Sequence, residues 1–397
     1  MSKSYYFNPK IKQAEYNLEN FLDTKINKYD QMRNFDPGIE HPIRYVSGLS
    51  PYISHGVIKE KDILLKVYKA NGNSEKFINE IFWRVYWKGW LEQHREIWTI
   101  YNESLKKLNA FSKFKENIFN NALEGNTEIE PFNDWIHQIK SYGYLHNHTR
   151  MWFASIWIHY LGLPWELGAN FFLQNLLDGD VASNTLSWRW VAGIQTPGKK
   201  YIATVENLNK YTFNKYPNLK LPNIKNQDFY PEIRKINAIS YNKEFSNKLR
   251  KAYFILENNL NIKYIIENYK SFKLIILINF NTQVCFSKVV ADFKAKLSND
   301  LLLKLKKSGI KVHNLTLPKD NDCLIKLLKL NEIEVVCSDY ICQSYENDIF
   351  EKFIEGAQIK CEKTLESFYT DTWTFSRKGY FQLKKNISTL INKHIII

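Results

Sequence analysis

Apolar positions in the first half of the chain recur at helical spacing, most clearly over 75–96 and 145–161. They predict long amphipathic helices joined by short loops. A stretch containing proline and asparagine, 216–231, predicts a surface loop or linker. The lysine-rich segment behind it predicts more helix, to about Lys270. The pattern then changes. Leu274 to Asn279 is an unbroken apolar run of strand length, and shorter runs follow at Val312 to Leu315 and Val335 to Ser338. Helices are predicted near Leu324 to Leu330 and Asn347 to Gly356. Strands alternating with helices predict a parallel sheet of the βαβ type. The expected architecture is α + α/β: an all-helical part over 1–215, a linker and helical segment over 216–270, and a smaller, Rossmann-like parallel-sheet domain over 271–397. Tryptophan usage marks the same division, since ten of the eleven precede Val191 and only Trp373 follows.

No apolar run approaches the ~20 residues of a membrane span, and the polar start, Met1 to Phe7, lacks the apolar core of a secretory signal. Cys285, Cys323, Cys337, Cys342 and Cys361 form no CxxC pair, so reduced thiols in a cytoplasmic protein are expected. A net charge of +14, from 55 Lys and Arg against 41 Asp and Glu, suggests an anionic partner, nucleic acid first. A general lysine bias would give the same charge without a binding site. No GxGxxG or GxxxxGK[ST] loop accompanies the predicted sheet, so nothing local specifies a nucleotide there.

Three stretches carry chemistry. In FINEIFWRVYWKGW, Phe77 to Trp90, helical spacing puts Glu80, Trp83, Arg84 and Trp87 on one face. A core stripe with a solvated Glu80–Arg84 pair would use the same spacing. In LHNHTRM, Asn147, Arg150 and Met151 share a face, whereas His146 and His148 point to different sides, so no metal site is expected there. In LLDGDVASNTLSWRW, Asp180 stands at a predicted helix start, where it can cap backbone amides. Asn184 follows one turn later. A buried Asp178 would need a cation, and Arg150 is the natural candidate.

Taken in order from Tyr29 to about Tyr211, the stretches YDQMRNF, GLSPYISHG, FINEIFWR, GYLHNHTRM and LLDGDVASN resemble the flavin and substrate motifs of the DNA photolyase and cryptochrome family. The resemblance implies a helical FAD-binding domain. Tyr29, Ser47, Leu49 and Ser50 would cradle the diphosphate, with Arg84 adding charge-assisted bonds. Phe77 stands where many relatives have a tryptophan, and Val46 where they often have a threonine. Asn147, Arg150, Asp178 and Asp180 would hold the isoalloxazine and ribityl parts, and Asn184 would sit beside flavin N5, which looks like the photolyase choice.

For substrate, Glu80, Trp83, Asn147, Met151 and Trp190 match the pocket of photolyases that split cyclobutane pyrimidine dimers. The (6-4) enzymes have histidines where this chain has Asn147 and Met151. Arg33 matches a DNA contact of the family. Arg189, Lys199 and Lys200 are candidate phosphate partners on charge alone, with a solvated face as the plainer reading. Trp188 and Trp165 match the inner and middle members of an electron relay. Around Phe111 and Phe114 no tryptophan stands at the outer position, so the relay ends at Trp98 or elsewhere.

The implied function is light-dependent repair of damaged DNA by reduced FAD. The enzyme would be a deoxyribodipyrimidine photo-lyase (a carbon–carbon lyase), monomeric and without membrane association. The other reading is a cryptochrome-like blue-light photoreceptor without repair activity. Family members place an antenna domain ahead of the helices, but only about 28 residues precede Tyr29. The tail from Val335 resembles the close of such a domain, so an antenna-like unit is expected at the C-terminal side. A second chromophore is left unspecified by the sequence.

Overall fold

The structure is a computed structural model and describes residues 7–41, 44–70, 74–111, 116–225, 229, 235–239, 249–282 and 286–396. Helix Glu75–Gln93 begins where Ser74 accepts a hydrogen bond from the Phe77 amide at 3.1 Å, which satisfies one of the free amides of the first turn. It buries Phe77, Ile78, Ile81, Phe82 and Val85 in a core shared by the helical part and the C-terminal part, where Phe82 meets Phe368. Helix Val181–Val191 packs against helix Glu75–Gln93 and against helices Asn147–Ser155 and Trp165–Asn175. The helix predicted over 145–161 is bipartite, with Asn147–Ser155 continuing as a π-helical turn, Ile156–Tyr160.

Behind the helices lies one five-stranded sheet: β1 (Lys251–Leu256), β2 (Leu274–Phe280), β3 (His313–Leu317), β4 (Val335–Asp339) and β5 (Lys360–Thr364). All pairings are parallel and the order is β3-β2-β1-β4-β5. Three strands fall on the apolar runs that predicted them. The segment expected to be helix as far as Lys270 contains helix Ile262–Asn268, but ahead of it runs β1, the central strand, so the sheet begins at Lys251 and not after residue 271. Its apolar core, AYFIL, is short and surrounded by lysine and asparagine, which hid it. Strand β5, KCEKT, was also missed, because an edge strand this polar carries no apolar run. Within the linker, residues 226–228, 230–234 and 240–248 lie outside the described residues, as does Cys285. Cys323, Cys337, Cys342 and Cys361 are free thiols.

Side chains alternate across the sheet with the period of two that a strand imposes. Tyr253, Ile255, Ile275, Leu277, Val335 and Cys337 belong to the same hydrophobic core as the helical part. Ala252, Phe254, Leu256, Ile276, Ile278 and Val336 face a second core, closed by Phe350 and Phe353 of helix Tyr345–Ala357. Trp373 wedges the two parts together. A Cβ on Gly89 would lie 2.3 Å from Trp373 Cδ1, so only glycine admits the ring. The indole Nε1 donates to Val85 O at 3.1 Å, and Trp373 O accepts from Gln93 Nε2 at 2.9 Å. The one tryptophan outside the helical half therefore holds the halves together. No helix among the described residues is long and apolar enough to cross a membrane.

Candidate functional site

Asp180 caps helix Val181–Val191, accepting from the Ser183 amide at 2.8 Å. Its second oxygen lies 3.6 Å from Arg84 Nη2, which also donates to Ser54 Oγ at 2.8 Å. Ser54 Oγ in turn donates to Asp178 O at 3.1 Å. Arg150 pairs with the Asp178 carboxylate at 2.8 Å, the cation the sequence assigned to it. Ser54 thus joins the two ion pairs into one cluster. Glu60 extends it, 3.4 Å from Arg84 Nε and 2.9 Å from Lys88 Nζ.

Burial alone would raise the pKa of Asp180, but Arg84, Lys88 and the Ser183 amide outweigh it and hold the carboxyl below its ordinary range. Glu60 behaves alike, with Lys88 and Arg84 overcoming burial. Asp180 and Glu60 therefore favour the ionised form beside Arg84. The Arg84 Nε is buried and makes no hydrogen bond, because Glu60 at 3.4 Å lacks the geometry for one. One strong donor is left unused.

Tyr29 and Phe77 are buried, their rings 5.3 Å apart and nearly perpendicular, and both pack on Phe21. The Ser47 hydroxyl accepts from the Leu49 amide at 3.4 Å, so this loop folds onto itself ahead of Ser50. Asn184 Nδ2 donates to Ala169 O at 2.8 Å, tying the residue to helix Trp165–Asn175. The candidate substrate residues lie further out. Asn147 is exposed, and Met151, Trp83 and Trp190 are partly so. Glu80 pairs with Arg33 at 2.8 Å, and burial pushes its carboxyl pKa up by more than Arg33 and Lys76 pull it down. A Glu80–Arg84 pair is not formed, since each finds another partner. Trp83 and Trp190 have separate neighbours: Trp83 stacks on Tyr380 and Trp190 on Tyr201. The set runs from buried, ionised groups inside to partly open rings at the surface.

Arg189 corrects the sequence reading. It is 1% exposed, with its guanidinium over the Trp165 ring at 5.8 Å, so it is neither a solvated side chain nor an outward phosphate contact. Lys199 and Lys200 are exposed. Trp188 is buried against Gly168, one turn along from Trp165. From Trp165 the rings continue to Tyr101 at 5.6 Å and to Trp98 at 5.3 Å beyond it. Residues 112–115, where the outer relay position was sought, lie outside the described residues. The sequence reading missed Glu60, which lies between Arg84 and Lys88 and pairs with both. It also passed over Ser54, although Ser54 sits inside the GLSPYISHG stretch it singled out.

Residues 77–250 match the family model described as FAD binding domain of DNA photolyase. Over that stretch the chain is similar to the photolyase/cryptochrome family. Among curated relatives, a deoxyribodipyrimidine photo-lyase of Buchnera aphidicola subsp. Baizongia pistaciae is 30% identical over 192 residues, covering 46% of this chain and 39% of the relative. A cryptochrome DASH of Idiomarina loihiensis is 30% identical over 189 residues, covering 44% and 39%. A bacterial class III photolyase from Agrobacterium tumefaciens is a structural neighbour with a TM-score of 0.41 and 26% identity, covering 51% of this chain and 42% of that one. The chain spans less than half the length of these relatives.

The residues of the photolyase-type domain fit FAD. The unused Arg84 Nε suits a diphosphate oxygen, and the capped Asp180 with the paired Asp178 suits polar ring and ribityl groups. A cavity of about 180 Å³ next to Asp180, between helices and sheet, is smaller than the ~300–1,000 Å³ of small-molecule sites and is not by itself the FAD site.

Proposed function

We propose that this protein is a deoxyribodipyrimidine photo-lyase that splits cyclobutane pyrimidine dimers in damaged DNA. The observation that carries this reading is Glu80. Its pKa is raised by burial, and it lies one helical turn from the partly exposed Trp83, outside an ionised cluster suited to FAD. Tyr29, Ser47, Leu49, Ser50, Phe77, Arg84, Asn147, Arg150, Asp178, Asp180 and Asn184 would hold the cofactor. Bound there in its reduced form, FAD would supply light-driven electron transfer to the dimer, with no net redox change.

The chain's own residues do the rest. A flipped-out dimer costs a few kcal/mol to extrude, and less where damage has weakened pairing. Stacking on Trp83 and Trp190 returns ~1–3 kcal/mol per base. Asn147 and Met151 would contribute to the same pocket, and Arg33, paired with Glu80, would contact the DNA backbone beside it. Glu80, kept protonated to higher pH than an ordinary glutamate, donates a hydrogen bond to a carbonyl oxygen of the dimer. In its ionised form it accepts from an imide N–H. Trp188 and Trp165 are the inner members of an electron relay that continues to Tyr101 and Trp98. We read the parallel-sheet part as the counterpart of the family's antenna domain, supported by its strand order and by the likeness of its tail.

The second reading is a blue-light photoreceptor without repair, favoured by the cryptochrome DASH match. The test compares light-dependent repair of cyclobutane dimers and (6-4) products by wild type and Glu80→Ala. Repair of the dimer alone, reduced about tenfold or more in the variant, is expected from the loss of one charge-assisted bond of ~1.5–3 kcal/mol. Repair of the (6-4) product, or full dimer repair by the variant, overturns the substrate assignment. An FAD-loaded wild type that repairs neither lesion points to the photoreceptor.

A further inference from the structure

The ring of Tyr380 lies 3.6 Å from that of Trp83 at an interplanar angle of 11°. Trp83 belongs to helix Glu75–Gln93, whereas Tyr380 opens the short helix Tyr380–Lys384 near the far end of the chain. We propose that Tyr380 is a positioning residue of the lesion pocket, bracing one face of Trp83 so that its opposite face is fixed for a damaged base to stack on. This inference rests on the repair reading above.

Three contacts hold Tyr380. Its hydroxyl donates to Asn79 O at 3.0 Å, and its ring meets Tyr86 edge-on at 5.6 Å. The Tyr86 hydroxyl donates to Lys378 O at 2.6 Å, which pins the chain just before the tyrosine. Tyr380 is consequently only 4% exposed. Trp83 keeps partial exposure even so. One face of its indole is flush against Tyr380, and its other ring neighbours, Tyr86 and Trp87, stand at 89° and 35°. The accessible part of Trp83 therefore lies on the opposite face and the edge, the side a base would approach. A side chain already immobilised loses little freedom on binding, so bracing favours affinity without touching the ligand. A plug that mimics a base would have to leave easily. Tyr380 is buried and bonded to backbone, as a brace must be.

The consequence is that the C-terminal part helps to shape the substrate pocket of the helical part. The experiment measures binding of dimer-containing and undamaged oligonucleotides in darkness, with repair rates at limiting and saturating substrate, for wild type and for Tyr380→Phe, Tyr380→Leu and Tyr380→Ala. The phenylalanine variant, which keeps the ring, should bind dimer DNA within about twofold of wild type. The other two should bind it about tenfold more weakly, the scale of freezing one mobile side chain. Undamaged DNA binding should stay unchanged and the rate at saturation should be kept, a KM effect that general loss of structure would not give. If alanine unfolds the chain, the leucine variant, which keeps the apolar volume, decides. Wild-type affinity for the dimer in a folded leucine or alanine variant overturns the proposal. So does tighter binding, which would make Tyr380 a plug. A wild type with no preference for dimer DNA removes the repair reading and this inference together, whereas a preference that survives loss of the ring removes this inference alone.

Discussion

Arg150 Nη2 lies 2.9 and 2.8 Å from the two carboxylate oxygens of Asp178, and Arg150 Nε donates to Leu145 O at 2.9 Å. The Asp178 side chain is almost fully buried, so the pair fastens helix Asn147–Ser155 to the turn before helix Val181–Val191. Asp178→Ala leaves a guanidinium facing a partly buried gap. Because Arg150 retains some contact with water, the loss should sit at the lower end of the range for a broken buried pair, about 3 kcal/mol. Asp178→Asn, which keeps an acceptor, should lose less. Urea unfolding measures both, and an alanine variant as stable as wild type would show that the pair contributes nothing.

Glu92 joins the helices to the sheet. It is completely buried and accepts from the Tyr340 hydroxyl at 2.5 Å, the Gln343 amide at 2.6 Å and Arg95 Nη2 at 3.2 Å. Its removal strands two donors from the other part of the molecule, and bonds to a charged group are worth ~1.5–3 kcal/mol each. Glu92→Ala should destabilise the protein by about 3–5 kcal/mol and split one thermal transition into two. A single, unshifted transition in calorimetry would mean that the two parts do not depend on Glu92 for their docking.

Stability should fall in mild acid. Burial pushes the His55 pKa down to about 3 and the His148 pKa down to about 4, from an ordinary value of 6.5. The folded chain thus refuses protons that the unfolded chain accepts. The sign follows: this contribution is complete above pH 6.5 and is lost as pH falls towards 4 and then 3. His55→Gln, which can still donate to Leu177 O, should shallow the decline of melting temperature below that pH. A wild-type melting temperature that does not change across this window would contradict neutral burial of these rings.

Much of the site was legible because its chemistry is local. Asp180 as a cap, and Asp178 in need of Arg150, follow from a carboxylate at a helix start and from the cost of a buried charge. Strand β2 was legible because a strand covered on both faces is apolar without interruption. Strand β1 was not, since Ala252 to Leu256 is five apolar residues that polar neighbours on either side dilute. The partners of Arg84 and the Tyr380–Trp83 stack were equally hidden. They join segments far apart in the chain, and no periodicity records such a meeting. Arg189 was misread because its charge suggested solvent, although its place on the helix puts it over Trp165.

The central claim is that Arg84 and its neighbours form a FAD cradle, and the flavin content of the purified protein tests it most directly. Absorbance and fluorescence before and after heat denaturation measure how much FAD each chain retains. Wild type should be yellow or blue and release stoichiometric FAD. Arg84→Ala should release far less while keeping its fold by circular dichroism, because it strips a charged donor from the diphosphate. Colourless wild-type protein that cannot be reconstituted with FAD would contradict the account.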